Sequence, residues 1–458
     1  MTVGPPVPRP LEPLPEALPA VDVHARLPRG FRVGAAAAGI KASGKPDLAI
    51  VVVERGPGSV AATFTTNQVP AAPVQLSRRH LAATSPEGTS SYGRVDAIIS
   101  TSGSANAATG AQGLTDQRRL AAALATAAGT IPERTLALST GMIGTRLPVD
   151  LIVPEIARLV ASGLSSEDAA LADVAEAMRT TDSRPKAATV TIELPGRRGS
   201  RVPVTVSGVA KGVGMIHPRM ATMLALVLTD ATVEPAMLSS MLRPAVARTW
   251  NQLSVDGDTS TNDTVLLVAS GAAGAVPIAA GSAEAAVLGA AVEAVARSLA
   301  RQQASDGEGA TTLITCQVSG ARDDADARAV ARTVVSSSLV KAAVHGHDPN
   351  WGRVAGAAGN AHLADTTSLE AAGLSRAEAA QRGGGTVALD PATLRIGICG
   401  TDVFAGVPLA FDKAVVTAAM LSPEVLIRLD LGAGDGIGEA FGCDLTEQYV
   451  IENSEYST

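Results

Sequence analysis

Short runs dense in Val and Ile alternate with longer Ala-rich stretches along most of this chain, and that alternation constrains its fold more than any other feature. Asp47–Arg55 (DLAIVVVER) and Val95–Ser100 (VDAIIS) read as buried strands. Thr189–Leu194 and Val202–Val206 alternate like paired strands joined by the Pro195–Arg201 turn. Asp116–Ala128, Val149–Ser162, Ala283–Ala304 and Asp324–Ser337 read as helices, and Thr311–Ser319 as a further strand. The expectation is an α/β protein. Aromatic residues make up only 2% of the sequence, so the core must be built from Ala, Val and Leu.

Organisation is simple. Residues 1–28 carry eight prolines, which favour extended backbone and exclude helix, so they are expected to form a tail. The only other linker-like stretch is Thr366–Gly385. A net charge of −7 with scattered basic residues argues against nucleic acid or an anionic membrane surface as partner. No run approaches the roughly 18 apolar residues of a membrane span, and no secretory leader pattern opens the chain. Cys316, Cys399 and Cys443 stand too far apart for a CxxC site, so buried thiols in a cytoplasmic protein are expected.

Three motifs imitate binding sites. Gly39–Pro46 (GIKASGKP) nearly spells a phosphate loop, but Pro46 stands where a magnesium-binding hydroxyl belongs. Asp256–Ser260 starts like a calcium loop, but Thr261 and Leu267 occupy the required Gly and Glu positions. His345 and His347 flank a glycine beside Asp348 with no further ligand in sequence. No metal site is expected from them.

The segment that carries chemistry is Lys211-Gly212-Val213-Gly214-Met215-Ile216-His217-Pro218-Arg219-Met220-Ala221-Thr222-Met223-Leu224. A threonine hydroxyl is a weak nucleophile without an adjacent base. Cleavage just before Thr222 would expose an α-amine, with a pKa near 8 in model peptides, that could serve as that base. Ala221, being small, would let the hydroxyl reach its own preceding carbonyl. On spacing alone, an Ala-Thr pair at an element boundary is the plainer reading.

The segment resembles the self-processing site of the ornithine acetyltransferase (glutamate N-acetyltransferase) family, K-G-x-G-M-[IL]-x-P-x-M-A-T-[ML]-L. Further similar motifs follow in order: Gly30–Pro73, Ser139–Gly144 (STGMIG), Thr180–Lys186 (TTDSRPK), Val255–Thr264 (VDGDTSTNDT), Asp306–Thr311 (DGEGAT), Asp348–Arg353 (DPNWGR), Cys443–Thr446 (CDLT) and Asn453–Thr458. Only residues 1–28 fall outside. The resemblance implies an αββα-type layered sandwich and cleavage between Ala221 and Thr222. An α piece (29–221 beyond the tail) and a β piece (222–458) would then form one compact body. It implies Thr222 as nucleophile and, through its amine, as base. Thr140 and Gly141 would form the oxyanion hole, and Thr180, Lys211, Glu308, Asn453 and Thr458 would join Thr222 in binding substrate.

The implied reaction is ping-pong acetyl transfer from N-acetylornithine to glutamate, without metal or organic cofactor, acetyl-CoA being a possible co-substrate. The implied assembly is a heterotetramer of two α and two β chains in the cytoplasm. The alternatives are a paralogue with another amino-acid acceptor, or an amidase or aminopeptidase. Departures from the family pattern lie at Thr101 and Ser104, where asparagines are usual, at Thr312, where Lys is usual, and at His217 and Arg219, which fill variable positions.

Overall fold

The computed structural model describes residues 11, 14, 17–196, 199–217, 223–371 and 373–454. The chain divides into two compact units, one formed by Leu18–Asn251 with Asp258–Asp306, the other by Gln252–Gly257 with 307–454 and part of the N-terminal segment.

The first unit is a four-layer sandwich. One sheet has four strands in the order Phe31–Ala36, Leu48–Val53, Ala97–Ser104, Thr135–Met142. The other has six, in the order Tyr92–Val95, Gly58–Phe64, Thr264–Ala269, Leu224–Thr229, Arg201–Lys211, Lys186–Pro195. The period-2 alternation of strands sorts side chains between layers. Ala49, Val51 and Ile98 join Leu224, Leu226, Leu228, Leu266 and Val268 in one apolar cluster between the sheets. Leu48, Ile50 and Ile99 point the other way, into a cluster with Leu120, Leu124, Ile152 and Ile156 from helices Gly110–Ala128 and Val149–Ser162. Helices Pro235–Arg248 and Ala283–Ala304 cover the outer face of the six-stranded sheet. The arrangement is the αββα sandwich that the resemblance implies.

Leu224–Thr229 and Thr264–Ala269 are buried at every residue, because both faces of that sheet are covered. Each fully buried Val or Leu contributes roughly 1.5–3 kcal/mol. Numerous small aliphatic residues therefore do here what few aromatics could not.

The second unit has a six-stranded sheet in the order Leu253–Ser254, Gly436–Cys443, Leu313–Ala321, Glu424–Asp430, Arg395–Ile398, Thr401–Ala405. Helix Asp324–Ser336 lies against its Leu313–Ala321 and Gly436–Cys443 strands, burying Val330, Val334 and Val335.

Several boundaries differ from the sequence reading. Val149–Ser162 and Ala283–Ala304 match, while the helix expected from Asp116 begins at Gly110. Thr366–Gly385 is no linker: it holds helices Thr366–Ala371 and Arg376–Arg382, the second closed by a reciprocal Ser375–Glu378 capping box. The described end of the proline-rich segment is attached, since Asp22 and Thr189 exchange backbone hydrogen bonds at 2.9 and 2.7 Å.

Candidate active site

The Thr140–Gly141 pair sits where two parallel strands lose register. Ala97–Ser104 and Thr135–Met142 run in step to Gly103 opposite Gly141, after which Ser104 faces both Thr140 and Met142. Such an irregularity re-aims the side chains and peptide groups beside it. Gly141 has φ 127°, and a Cβ there would collide with the Gly103 carbonyl and the Ser104 nitrogen. Only glycine fits. Thr140, one residue earlier, is buried.

Lys211 ends strand Arg201–Lys211, and its Nζ donates to Thr140 Oγ1 at 3.1 Å. Its backbone carbonyl accepts from the Gln303 amide at 2.9 Å, and Gln303 in turn accepts from the indole N–H of fully buried Trp250 at 2.9 Å. Behind Lys211 lies a buried charge network. Asp182 accepts from Lys186 Nζ at 2.7 Å and from the Gly212 N–H at 2.8 Å, and lies 4.0 Å from Lys211 Nζ. Lys186 also donates to Asp306 at 2.6 Å, and Asp306 accepts from the Ser183 hydroxyl and N–H. Burial opposes the charge on Asp182, but Lys211, Lys186 and the Gly212 N–H outweigh it and lower its pKa to about 2. Thr180, half-buried, donates its N–H to the same carboxylate at 3.2 Å.

In the second unit, Glu308 accepts from the Asn453 amide at 3.0 Å. Thr446 donates to the Gly309 carbonyl at 2.7 Å, and Asp444 accepts from the Thr311 and Thr312 N–H groups at 2.8 and 2.9 Å. The DGEGAT and CDLT motifs are thereby bound to each other. Thr312, standing where Lys is usual, takes part through its backbone.

Ala221, Thr222 and Thr458 lie outside the described residues, as does Arg219. Met223, next in chain to Thr222, is described: its N–H donates to Asp263 Oδ1 at 2.9 Å. Asn262 donates to the Ala105 and Ser139 carbonyls at 2.7 and 2.8 Å. Asp182 and Asp263 both escaped the sequence reading as chemical groups. The available signal was that each lies inside a motif of the resemblance.

The decoys resolve physically. In the Gly39–Pro46 loop, the N–H groups of Ala38, Ile40 and Lys41 all donate to the buried Asp47 carboxylate at 2.6–2.9 Å. A phosphate would find that nest already filled. His345 lies between Asp444 at 3.2 Å and Glu447 at 3.3 Å. Thr101 and Ser104 satisfy their hydroxyls on Ser139 and Thr145, both at 2.8 Å.

Comparison with known proteins bears on the same segments. An arginine biosynthesis bifunctional protein ArgJ from Thermus thermophilus is 42% identical over 436 residues, covering 94% of this chain and 99% of its own. Its counterpart from Symbiobacterium thermophilum is 43% identical over 434 residues, covering 94% and 98%. A crystal structure of the Bacillus halodurans ArgJ protein is 35% identical with a TM-score of 0.45, covering 51% of this chain and 99% of that one. The ArgJ family model matches residues 32–458. With nearly every described site residue inside that span and relatives aligned from end to end, the chain belongs to the ArgJ family.

Proposed function

We propose that this enzyme transfers the acetyl group of N2-acetyl-L-ornithine to L-glutamate through an acetyl-Thr222 ester, after cleaving itself between Ala221 and Thr222. The supporting observation is the Lys211 ammonium 3.1 Å from the Thr140 hydroxyl, beside the glycine-dependent irregularity at Gly141. A donor set of that kind favours negative charge on an acyl oxygen, the charge that develops in acyl transfer. Family membership, with relatives named for arginine biosynthesis, supports the substrate class.

In this mechanism the Thr222 hydroxyl attacks the acetyl carbonyl carbon while its proton passes to the Thr222 α-amine. Thr140 and the Gly141 N–H hold the oxyanion, with Lys211 directing the Thr140 hydroxyl. Collapse breaks the C–N bond, the ammonium returns its proton to the departing amine, and ornithine leaves. The α-amine of glutamate then attacks the ester and regenerates the threonine. Glu308, whose carboxylate suits an amino-acid ammonium, is assigned to substrate binding with Asn453, Thr180 and Thr458. The reading includes acetyl-CoA as an alternative donor, an α2β2 assembly of the 29–221 and 222–458 pieces, and a cytoplasmic location.

The test is intact mass of the wild-type protein beside Thr222→Ala, followed by acetyl-transfer assays. Two fragments divided before Thr222, with the variant whole and inactive, are expected. An uncleaved but active wild type would sink the mechanism. Acetate release without N-acetylglutamate would instead assign a hydrolase.

A further inference from the structure

Asp263 is fully buried in the six-stranded sheet of the first unit, at the start of the strand that runs parallel to Leu224–Thr229. It grips one residue. The Met223 N–H donates to Asp263 Oδ1 at 2.9 Å, and the Met223 carbonyl accepts from the Thr264 N–H at 3.1 Å. Asp263 is itself fixed from the other side, where its carbonyl accepts from the Thr65 N–H at 2.9 Å. Among the described residues its Oδ2 has no hydrogen-bond partner; the neighbouring Thr65 hydroxyl donates to the Ser260 carbonyl.

Peptide planarity carries this grip one residue further. The N–H of Met223 lies in one plane with the carbonyl and Cα of residue 222. Holding that N–H therefore anchors the peptide unit on the C-terminal side of position 222. Given the Thr222 nucleophile proposed above, on which this rests, we infer that Asp263 is a positioning residue for it: a side-chain acceptor that anchors the 222–223 peptide for self-cleavage and for acyl transfer. Burial pushes the Asp263 carboxyl well above the usual carboxylate range, against the opposing pulls of the Met223 N–H, the Thr65 side chain and the Lys211 charge.

The test uses Asp263→Asn, which keeps a neutral oxygen acceptor, beside Asp263→Ala, which removes it, in the full-length protein. Intact mass over time reads cleavage, and steady-state assays with N-acetylornithine and glutamate read kcat and KM separately. In the Ala variant cleavage slows and kcat falls about 100-fold with KM nearly unchanged, the scale of a misplaced reacting group. In the Asn variant both stay within about fivefold of wild type.

An Ala variant that folds, cleaves and turns over normally overturns the inference. So does an Asn variant as inactive as Ala, since the carboxyl would then be needed for its proton. Should the Ala variant not fold, as circular dichroism would show, the Asn result decides alone. Failure of the Thr222 reading is distinguishable, because it would appear in the wild type and in Thr222→Ala.

Discussion

Asp182 and Asp263 are both buried in the first unit, yet their surroundings drive them to opposite states. Asp182 faces two lysines and a peptide N–H, and its pKa falls to about 2. At Asp263 the Met223 N–H, the Thr65 side chain and the Lys211 charge do not outweigh burial, and its pKa rises. Burial alone pushes both upward; the lysines reverse it for one of them. The charge kept at Asp182 holds Lys211 toward Thr140, while at Asp263 charge is suppressed beside the chain that leads to Thr222.

The largest effect should come from breaking the charged side. Lys186→Met leaves Asp182 and Asp306 without their shared cation, and removing one partner of a buried pair typically costs about 3–5 kcal/mol. Urea unfolding measures this; a loss below about 1 kcal/mol would mean that water reaches the network. Next comes Lys211→Met, which should lower kcat by about 10²–10³ if Lys211 supports the oxyanion donors. A rise in KM alone would assign Lys211 to carboxylate binding instead.

The pH dependence sharpens the contrast. Asp182, with its folded pKa below the ordinary 3.8, contributes stability that is complete above that value and lost as pH falls toward about 2. The contribution is roughly 2 kcal/mol. Asp182→Asn should therefore flatten the acid limb of stability between about pH 4 and 2. Asp263 has the opposite sign. Its folded pKa is raised, so its contribution is complete at low pH and lost as pH rises above the unfolded value. Asp263→Asn should flatten a decline that begins above the ordinary carboxylate range.

The smallest expected effect is Gln303→Leu. It removes the acceptor of the Trp250 N–H and the Gln303 donor to the Lys211 carbonyl, at about 1–3 kcal/mol in thermal or urea unfolding, with kcat reduced as Lys211 shifts. Unchanged kcat would separate this support from the oxyanion site.

Legibility in the sequence followed the range of the interactions. Ala283–Ala304 was readable because helical spacing and the Ser282 cap are local, the serine hydroxyl accepting the Ala285 N–H at 3.1 Å. The paired strands meeting at Pro195 and Arg201 were readable because one turn sets their register. The helices within Thr366–Gly385 were missed, since glycine and polar density outweighed the Ser375–Glu378 capping signal. Thr140, Gly141 and Lys211 were found through resemblance alone, because 71 residues separate Lys211 from Thr140.

By itself the sequence determined the α/β class, the small-residue core and the likeness that points to Thr222. Its alternating strands and Ala-rich helices encode those through short-range geometry and apolar patterning. Tertiary structure alone decided which acids carry charge. Asp182 meets Lys186 four residues on, but its second cation, Lys211, arrives from another strand, and Asp263 meets Met223 across a parallel pair. A carboxyl's state depends on its desolvation and its neighbours in space, and packing across the sandwich sets both.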